Sequence, residues 1–124
     1  MRLKLLLLFL AVAGPALAFA ETRERVVFSS EKSKIVGDLF LPAKATGKTP
    51  AIIVDGPMTT VKEQVAGLYA KKLARQGFVA LAFDHRYYGE SEGQPRQLEA
   101  PGKKIEDLKN AISYLASRAD VDAK

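Results

Sequence analysis

Cysteine is absent from the 124 residues of the sequence, and histidine occurs once, at position 85. Without thiols the chain has no disulfide, no zinc-thiolate site, no cysteine nucleophile and no cysteine-linked lipid anchor of its own. One histidine with scattered carboxylates such as Asp55, Asp84 and Glu90 is a poor set of metal ligands. No glycine-rich dinucleotide fingerprint follows the buried strands, so we expect neither a metal nor another cofactor.

An excess of charge of one sign is also missing. The sequence has 19 basic and 14 acidic residues, a net charge of +5, and removing Arg2 and Lys4 with an N-terminal leader lowers it to +3. The basic residues are scattered along the chain, and solvated surfaces explain them. Examples are Lys44 and Lys48 in a turn, Lys71, Lys72 and Arg75 on one predicted helix, and Lys103 and Lys104 at the start of another. We therefore expect no nucleic-acid partner.

The N-terminus has the layout of a secretory signal peptide. Arg2 and Lys4 precede an apolar run at residues 5–12, and Ala18 and Ala20 form a small-x-small ending before Glu21. A membrane anchor is the alternative, but the run is shorter than the roughly 20 residues of a spanning helix and a Gly-Pro pair interrupts it. We expect a signal peptide at 1–20, a mature chain at 21–124 without a stable membrane anchor, and a periplasmic or secreted location.

Hydrophobic patterning predicts strands and helices in a recognisable order. The predicted elements are strands at 25–29 and 34–41 joined by a turn, a buried strand at 51–54, a helix from about residue 60 to Gly77, a strand at 78–83, and a helix at 103–117. Such an order is typical of the α/β class, with an antiparallel hairpin leading into parallel strands flanked by helices.

The two helices have distinct sequence signals. Thr60 and Glu63 have the spacing of a capping box at the start of the first helix, and Gly77 is its predicted stop. The residues predicted to face the sheet are Val65, Leu68, Tyr69 and Leu73 in the first helix and Ile105, Leu108, Ile112 and Leu115 in the second. Only residues 120–124 follow, so we expect no further strand and an unpaired sheet edge beside residues 51–54.

Two loops carry a resemblance to a known family. The segments are Val-Asp-Gly-Pro-Met-Thr-Thr at 54–60 and Asp-His-Arg-Tyr-Tyr-Gly-Glu-Ser-Glu-Gly at 84–93. With the surrounding elements, they resemble the start of an α/β-hydrolase, and specifically its bacterial dienelactone-hydrolase-like branch. The resemblance runs from Val26 to the C-terminus and implies an incomplete α/β-hydrolase sheet that ends before the nucleophile elbow. Tyr87 departs from the pattern, which usually has glycine there, so a positive φ is less accessible.

The resemblance implies an oxyanion loop after the first parallel strand, where backbone N–H groups stabilise negative charge on a carbonyl oxygen. Pro57 has no N–H, so the implied donor is Met58, while Gly56 and Pro57 shape the turn. Asp84, Arg86 and Gly89 are the implied loop-shaping residues after the next strand. A simple strand-to-helix turn closed by Thr60 is the alternative interpretation of the first loop.

Ser91 lies in a Gly-Glu-Ser-Glu-Gly segment that matches the nucleophile motif letter for letter. We do not predict that it is a nucleophile, because residues 84–88 separate its motif from the strand and the following Gln-Pro-Arg-Gln does not open a helix. The flanking Glu90 and Glu92 would also oppose a developing oxyanion. His85 precedes the position of a triad histidine, and we expect it to hydrogen-bond near an Asp84–Arg86 pair instead.

Two functions remain open. The first is the N-terminal part of an exported hydrolase that acts on a small-molecule ester or amide, with the nucleophile, acid and histidine of the triad absent from these residues. Taken alone, such a polypeptide is expected to be inactive. The second is a non-catalytic binding protein that completes its sheet by self-association at the unpaired edge.

Overall fold

A computed structural model describes residues 21–124, and the predicted signal peptide at 1–20 lies outside them. The elements are β1 (Thr22–Ser30), β2 (Ser33–Leu41), β3 (Thr49–Val54), α1 (Val65–Arg75), β4 (Val79–Phe83), α2 (Pro101–Ala116) and β5 (Val121–Asp122). Neither helix of this described part is long and apolar enough to cross a membrane.

The five strands form one mixed sheet in the order β1-β2-β4-β3-β5. β2 pairs with β1 and β4 in antiparallel fashion, and β3 pairs with β4 in parallel, with Ala51 opposite Val79 and Val54 opposite Ala82. The hairpin and the parallel pair are confirmed. Since β3 and β4 run in the same direction, their carboxyl ends meet at one edge of the sheet.

The hairpin turn explains the register of β1 and β2. Ser30 pairs with Ser33, and the two residues between them, Glu31 and Lys32, both have positive φ values of 45° and 72°. A two-residue turn with both central residues left-handed matches the right-handed twist of paired strands. The turn places Ser30 and Glu31 near the chain after β4, where both bind Arg86.

Each face of the sheet has its own apolar core. On one face α2 contributes Ala111 and Leu115 to a cluster with Val26, Phe28, Ile35, Leu39, Val79, Leu81, Phe83 and Val121. On the other face α1 contributes Ala66, Ala70 and Ala74 to a cluster with Phe40, Ala80 and Ala82. The helices therefore cover opposite faces, as expected for this fold class.

The predicted start and buried face of α1 are wrong. The helix begins at Val65 after Gln64, no side chain caps it, and the Thr60 hydroxyl donates instead to the Pro57 carbonyl oxygen at 2.7 Å. The prediction failed because a turn at residues 57–60 uses the hydroxyl before the helix begins.

Small residues form the buried face of α1. Ala66, Ala70 and Ala74 pack against the sheet. Of the four predicted residues, Leu73 is partly buried against the same cluster, whereas Val65, Leu68 and Tyr69 are exposed. Alanine has no side chain beyond Cβ, so the helix backbone can lie close to Ala80 and Ala82. At its other end Gly77 follows the helix with a φ of 99°, as predicted for a stop.

The C-terminal part also differs from prediction. Leu115 is buried and Leu108 is partly buried as expected, but Ile105 and Ile112 are exposed and Asp107 is fully buried. A short strand that we did not expect, β5, pairs with Thr49 and Pro50. The edge of β3 is therefore partly paired, and the described strands leave residues 51–54 without a partner on that side.

Candidate active site

The first loop of the site begins where β3 ends. The carboxylate Oδ1 of Asp55 accepts a hydrogen bond from the Gly56 N–H at 2.8 Å, which turns the chain immediately after the strand. The Thr60 hydroxyl closes the turn on the Pro57 carbonyl oxygen. A Cβ on Gly56 would collide with that hydroxyl, so glycine is required for the close approach.

Met58 lies at the exposed tip of this loop. The residue is 66% exposed. Its backbone N–H donates no hydrogen bond within residues 21–124. The next residue, Thr59, has a φ of 65°. The turn thus leaves a backbone donor available to a bound group near the carboxyl ends of β3 and β4.

Asp84 anchors the second loop to the first. Its carboxylate accepts bonds from the Lys62 N–H at 2.8 Å, the Lys62 ammonium at 2.9 Å and the Glu90 N–H at 2.9 Å. The expected Asp84–Arg86 pair is therefore wrong. Asp84 instead connects the chain that follows Met58 with the loop after β4, so it fixes the two loops relative to each other.

Lys62 is the cation at the centre of this contact. It is 1% exposed, and its ammonium lies 2.6 Å from both the Glu63 and Glu90 carboxylates. Burial lowers the pKa of Lys62, but the bonds to Glu63, Glu90 and Asp84 outweigh it and raise the pKa above its ordinary value. The three carboxylates are close enough to suggest a metal site, but the lysine ammonium already supplies the positive charge.

Arg86 binds α2 and the β1–β2 turn. The Asp107 carboxylate accepts bonds from the Arg86 N–H at 2.9 Å, Nε at 3.0 Å and Nη2 at 2.7 Å. The guanidinium also donates to Glu31 and to the Ser30 hydroxyl. Burial by itself raises the pKa of Asp107. The hydrogen bonds with His85 and Arg86 lower the pKa by more than burial raises it, so that it is about 2.

His85 lies between two carboxylates. Its Nε2 is 2.9 Å from Asp55 Oδ1, and its Nδ1 is 3.7 Å from Asp107 Oδ2. Burial lowers the pKa of His85, but the two carboxylates outweigh that effect and raise it above its ordinary value. The expected local role for His85 thus involves different partners from those that we predicted.

The glycines and Tyr87 give the second loop its shape. Gly89 has a φ of 49°, and a Cβ there would collide with the Asp84 carboxylate. Tyr87 has a φ of 76°, so it adopts the left-handed conformation even though it is not glycine. Its ring lies against Gly93, where a Cβ would be 2.9 Å from Cε1 of that ring. The left-handed backbone of Tyr87 therefore occurs together with close packing of its ring on Gly93.

Ser91 is buried and fully engaged. Its hydroxyl donates to the Asp84 carbonyl oxygen at 2.6 Å and accepts from the Val36 N–H at 2.9 Å. It lies in the loop between β4 and α2, away from any strand-to-helix turn. The hydroxyl therefore joins this loop to β2 through two backbone groups.

A cleft of about 440 Å³ separates the two loops. It is lined by Thr59, Val61, Tyr87, Tyr88, Gly89, Arg96 and Gln97. Arg96 donates to the carbonyl oxygens of Gly89 and Ser91, so its guanidinium holds the loop that forms one wall. The cleft borders Thr59, the residue that follows Met58.

Comparison with known proteins identifies the fold. A crystal structure of the α/β hydrolase GrgF from a Penicillium species matches 82% of this chain with a TM-score of 0.72 and 26% identity, and the match covers 34% of that protein. The chain belongs to the α/β-hydrolase superfamily. The described sheet and its flanking helices are an incomplete form of that hydrolase fold.

Three further proteins resemble this chain. The structure of protein PA2218 from Pseudomonas aeruginosa matches 98% of this chain and 38% of its own, with a TM-score of 0.79 and 36% identity. The thiohydrolase aneE of Aspergillus aculeatus is 39% identical over 89 residues, which are 72% of this chain and 27% of aneE. A dienelactone-hydrolase-like phosphotriesterase from metagenomic libraries, at 21% identity and a TM-score of 0.65, has the same fold. No protein-family model matches the sequence.

This α/β-hydrolase chain spans about a quarter to a third of the length of the curated relatives it matches. Within the matched part, sequence reasoning located both loops but missed Lys62 and Asp107, whose side chains hold them. Each is a charged residue in or beside a predicted amphipathic helix, which normally indicates a solvated face.

Proposed function

We propose that the chain is the N-terminal part of an exported hydrolase that acts on small-molecule esters or amides, with the Met58 N–H as an oxyanion donor. The unengaged N–H beside a cleft, at the carboxyl end of a parallel strand, is the observation that carries this proposal. In acyl transfer, negative charge develops on the carbonyl oxygen, and a donor fixed in advance stabilises it without further reorganisation.

Hydrogen bonds hold the chain before and after Met58. Gly56, Thr60 and Asp55 close the loop on one side of Met58, and the buried Lys62–Asp84 contact fixes the other side. A donor that moved by 1 Å would lose much of its effect on the reaction rate. The contacts around the loop therefore support a preorganised donor over a simple connecting turn.

The proposal places the nucleophile, acid and histidine of the triad outside residues 21–124. Ser91 and His85 are the obvious internal candidates, but both are buried and bonded to the structural framework. The purified chain should therefore not turn over a p-nitrophenyl ester above the buffer rate. Turnover that is lost in the Ser91→Ala variant would contradict this expectation.

A chimera tests whether the chain can serve as part of a hydrolase. The matching 89 residues of this chain would replace those of the thiohydrolase aneE, and thioester hydrolysis would be measured against intact aneE. We expect the chimera to retain turnover while this chain alone has none. A well-folded but inactive chimera, as judged by circular dichroism, would contradict the proposed role.

Export is a separate part of the proposal. It is supported by the leader pattern at 1–20, and cleavage after Ala20 would leave Glu21 as the first residue. The experiment is expression in a Gram-negative bacterium, followed by fractionation and intact-mass measurement of the product. A periplasmic product that begins at Glu21 is expected, and an uncleaved cytoplasmic product would count against export.

One observation favours a second candidate function, a non-catalytic protein that self-associates. An apolar groove of about 380 Å³ lies along the free part of β3 and is lined by Ala51, Ile53, Leu108, Ile112, Leu115 and Val121 among others. Size-exclusion chromatography with light scattering separates the two functions. A folded dimer that dissociates in the Ile112→Lys variant would favour self-association, and a folded monomer would favour the hydrolase.

A further inference from the structure

The carboxylate of Asp55 links the Met58 loop to a buried histidine. The same oxygen, Oδ1, accepts the Gly56 N–H at 2.8 Å and lies 2.9 Å from His85 Nε2. Gly56 is the second residue of the loop, two positions before Met58. A change in the bond between Asp55 and His85 is therefore transmitted to the residue that starts the turn.

His85 is held from three sides. Asp55 contacts its ring from the end of β3, Asp107 from α2, and the Phe83 ring packs against it at 4.7 Å between centroids. Further charges nearby are Arg86, which is bound to Asp107, and the ion pair of Glu99 with Lys104. The imidazole is 7% exposed, and its Nδ1 has no hydrogen-bond partner among the described residues.

The two carboxylates favour the protonated ring. An imidazolium carries an N–H on each nitrogen, so it can donate to Asp55 and place its second proton toward Asp107. A neutral ring with its N–H on Nε2 still donates to Asp55 at 2.9 Å, and its Nδ1 lone pair then faces Asp107 3.7 Å away. Loss of the proton therefore leaves an uncharged hydrogen bond to Asp55, which is weaker than the charge-assisted one.

Asp55 is the partner that can move. Its side chain is 43% exposed, whereas Asp107 is fully buried and held by three bonds from Arg86. We propose that His85 is a positioning residue whose charge sets the conformation of the loop that carries Met58. The inference rests on the proposed oxyanion role of Met58 and adds a means by which pH regulates that site.

The direction of the effect follows from the surroundings. The pKa of His85 is raised, because the two carboxylates outweigh the effect of burial, so the ring stays charged to a higher pH than a free histidine. The loop is held in the observed form at lower pH and is released as the pH rises through the pKa of His85.

Two natural reporters make this testable by NMR on the full chain. His85 is the only histidine, and Met58 shares its residue type only with Met1. The protein would be labelled with methyl-¹³C methionine and titrated from pH 5 to 9, with the Met58 signal assigned by the Met58→Leu variant. We expect the Met58 methyl shift and the His85 ring proton shift to titrate with one common midpoint above 6.5.

Two variants separate coupling from a general effect of pH. In His85→Gln the Met58 signal should lose its pH dependence. Asp55 is partly exposed, so the Asp55→Asn variant is expected to fold. In this variant His85 should titrate at a lower midpoint, and the Met58 methyl signal should no longer follow the His85 titration. A Met58 signal that ignores the His85 titration in the parent chain, or that still titrates in His85→Gln, would overturn the proposal. Because no turnover is measured, failure here is distinct from failure of the hydrolase proposal.

Discussion

Gly89 illustrates how a single residue determines the geometry of the site. Its φ of 49° is unfavourable for other residues, and its α-carbon lies so close to the Asp84 carboxylate that no side chain fits. A residue with a side chain here would incur the left-handed penalty and also displace the carboxylate that binds Lys62.

We predict that Gly89→Ala lowers the free energy of unfolding by about 2 kcal/mol or more, from backbone strain plus overpacking. The measurement is urea denaturation of the full chain. Gly102→Ala is the matched control, because a Cβ there meets nothing within 4 Å and the residue lies in the first turn of α2. The control should be neutral or slightly stabilising. Equal losses in both variants would show that the contact with Asp84 is unimportant.

Asp107 makes stability sensitive to acid. Its pKa is about 2 in the folded chain against an ordinary value of 3.8, so the folded state favours the charged form. The resulting stabilisation is present above pH 3.8 and is lost as the pH falls toward 2. A shift of this size corresponds to about 2 kcal/mol.

We predict that Asp107→Asn removes this part of the acid dependence and lowers the free energy of unfolding at pH 7 by about 3 kcal/mol, because Arg86 loses its buried partner. The measurement is urea denaturation between pH 2 and 7. Glu106→Gln, on the exposed side of the same helix, is the control and should stay within about 0.5 kcal/mol of the parent. Parallel pH profiles for the parent and Asp107→Asn would disprove the assignment.

The outcome at single residues shows which contacts a sequence can reveal. Gly56 and Gly89 were predictable, because a glycine in a turn after a strand signals a close approach or a positive φ. Lys62 and Asp107 were not, since each is stabilised by partners far away in the chain, Asp84 and Arg86. Nothing local distinguishes such a buried charge from one on a solvated face.

At the scale of elements, α1 shows how an amphipathic pattern can mislead. One stripe of the helix has large apolar side chains and contains Leu68. Another stripe consists of alanines and contains Ala70, and it is the alanine stripe that faces the sheet. A pattern based on hydrophobicity alone selects the large residues, but close packing against Ala80 and Ala82 leaves space only for small ones.

We predict opposite effects for two substitutions on these stripes. Ala70→Leu should lower the free energy of unfolding by about 1–3 kcal/mol, because it forces the helix away from the sheet. Leu68→Ala, on the exposed stripe, should change it by no more than about 0.5 kcal/mol. Thermal and urea denaturation of both variants provide the measurement. A larger loss for Leu68→Ala would show that the helix buries the face that the sequence pattern favoured.

At the scale of the whole molecule, the order of elements was more predictable than their ends. The hairpin, the parallel pair and the two covering helices follow from periodicity and turn residues at 30–33 and 77. The two-residue strand β5 was not predictable, since its pairing with Thr49 and Pro50 depends on the tertiary position of β3. An apolar groove lies along this partial sheet beside Ala51 and Ile53.

The position of the Met58 loop depends on the whole arrangement, because Asp55, Lys62 and Asp84 hold the surrounding chain. The most direct test of the account is kcat for thioester hydrolysis by the aneE chimera carrying Met58→Pro, compared with Met58→Ala. Proline removes the N–H, and loss of one oxyanion donor typically lowers kcat by about 10²–10³. Alanine keeps the N–H and should leave kcat largely unchanged. Equal kcat values for the two well-folded variants would contradict the role of this N–H.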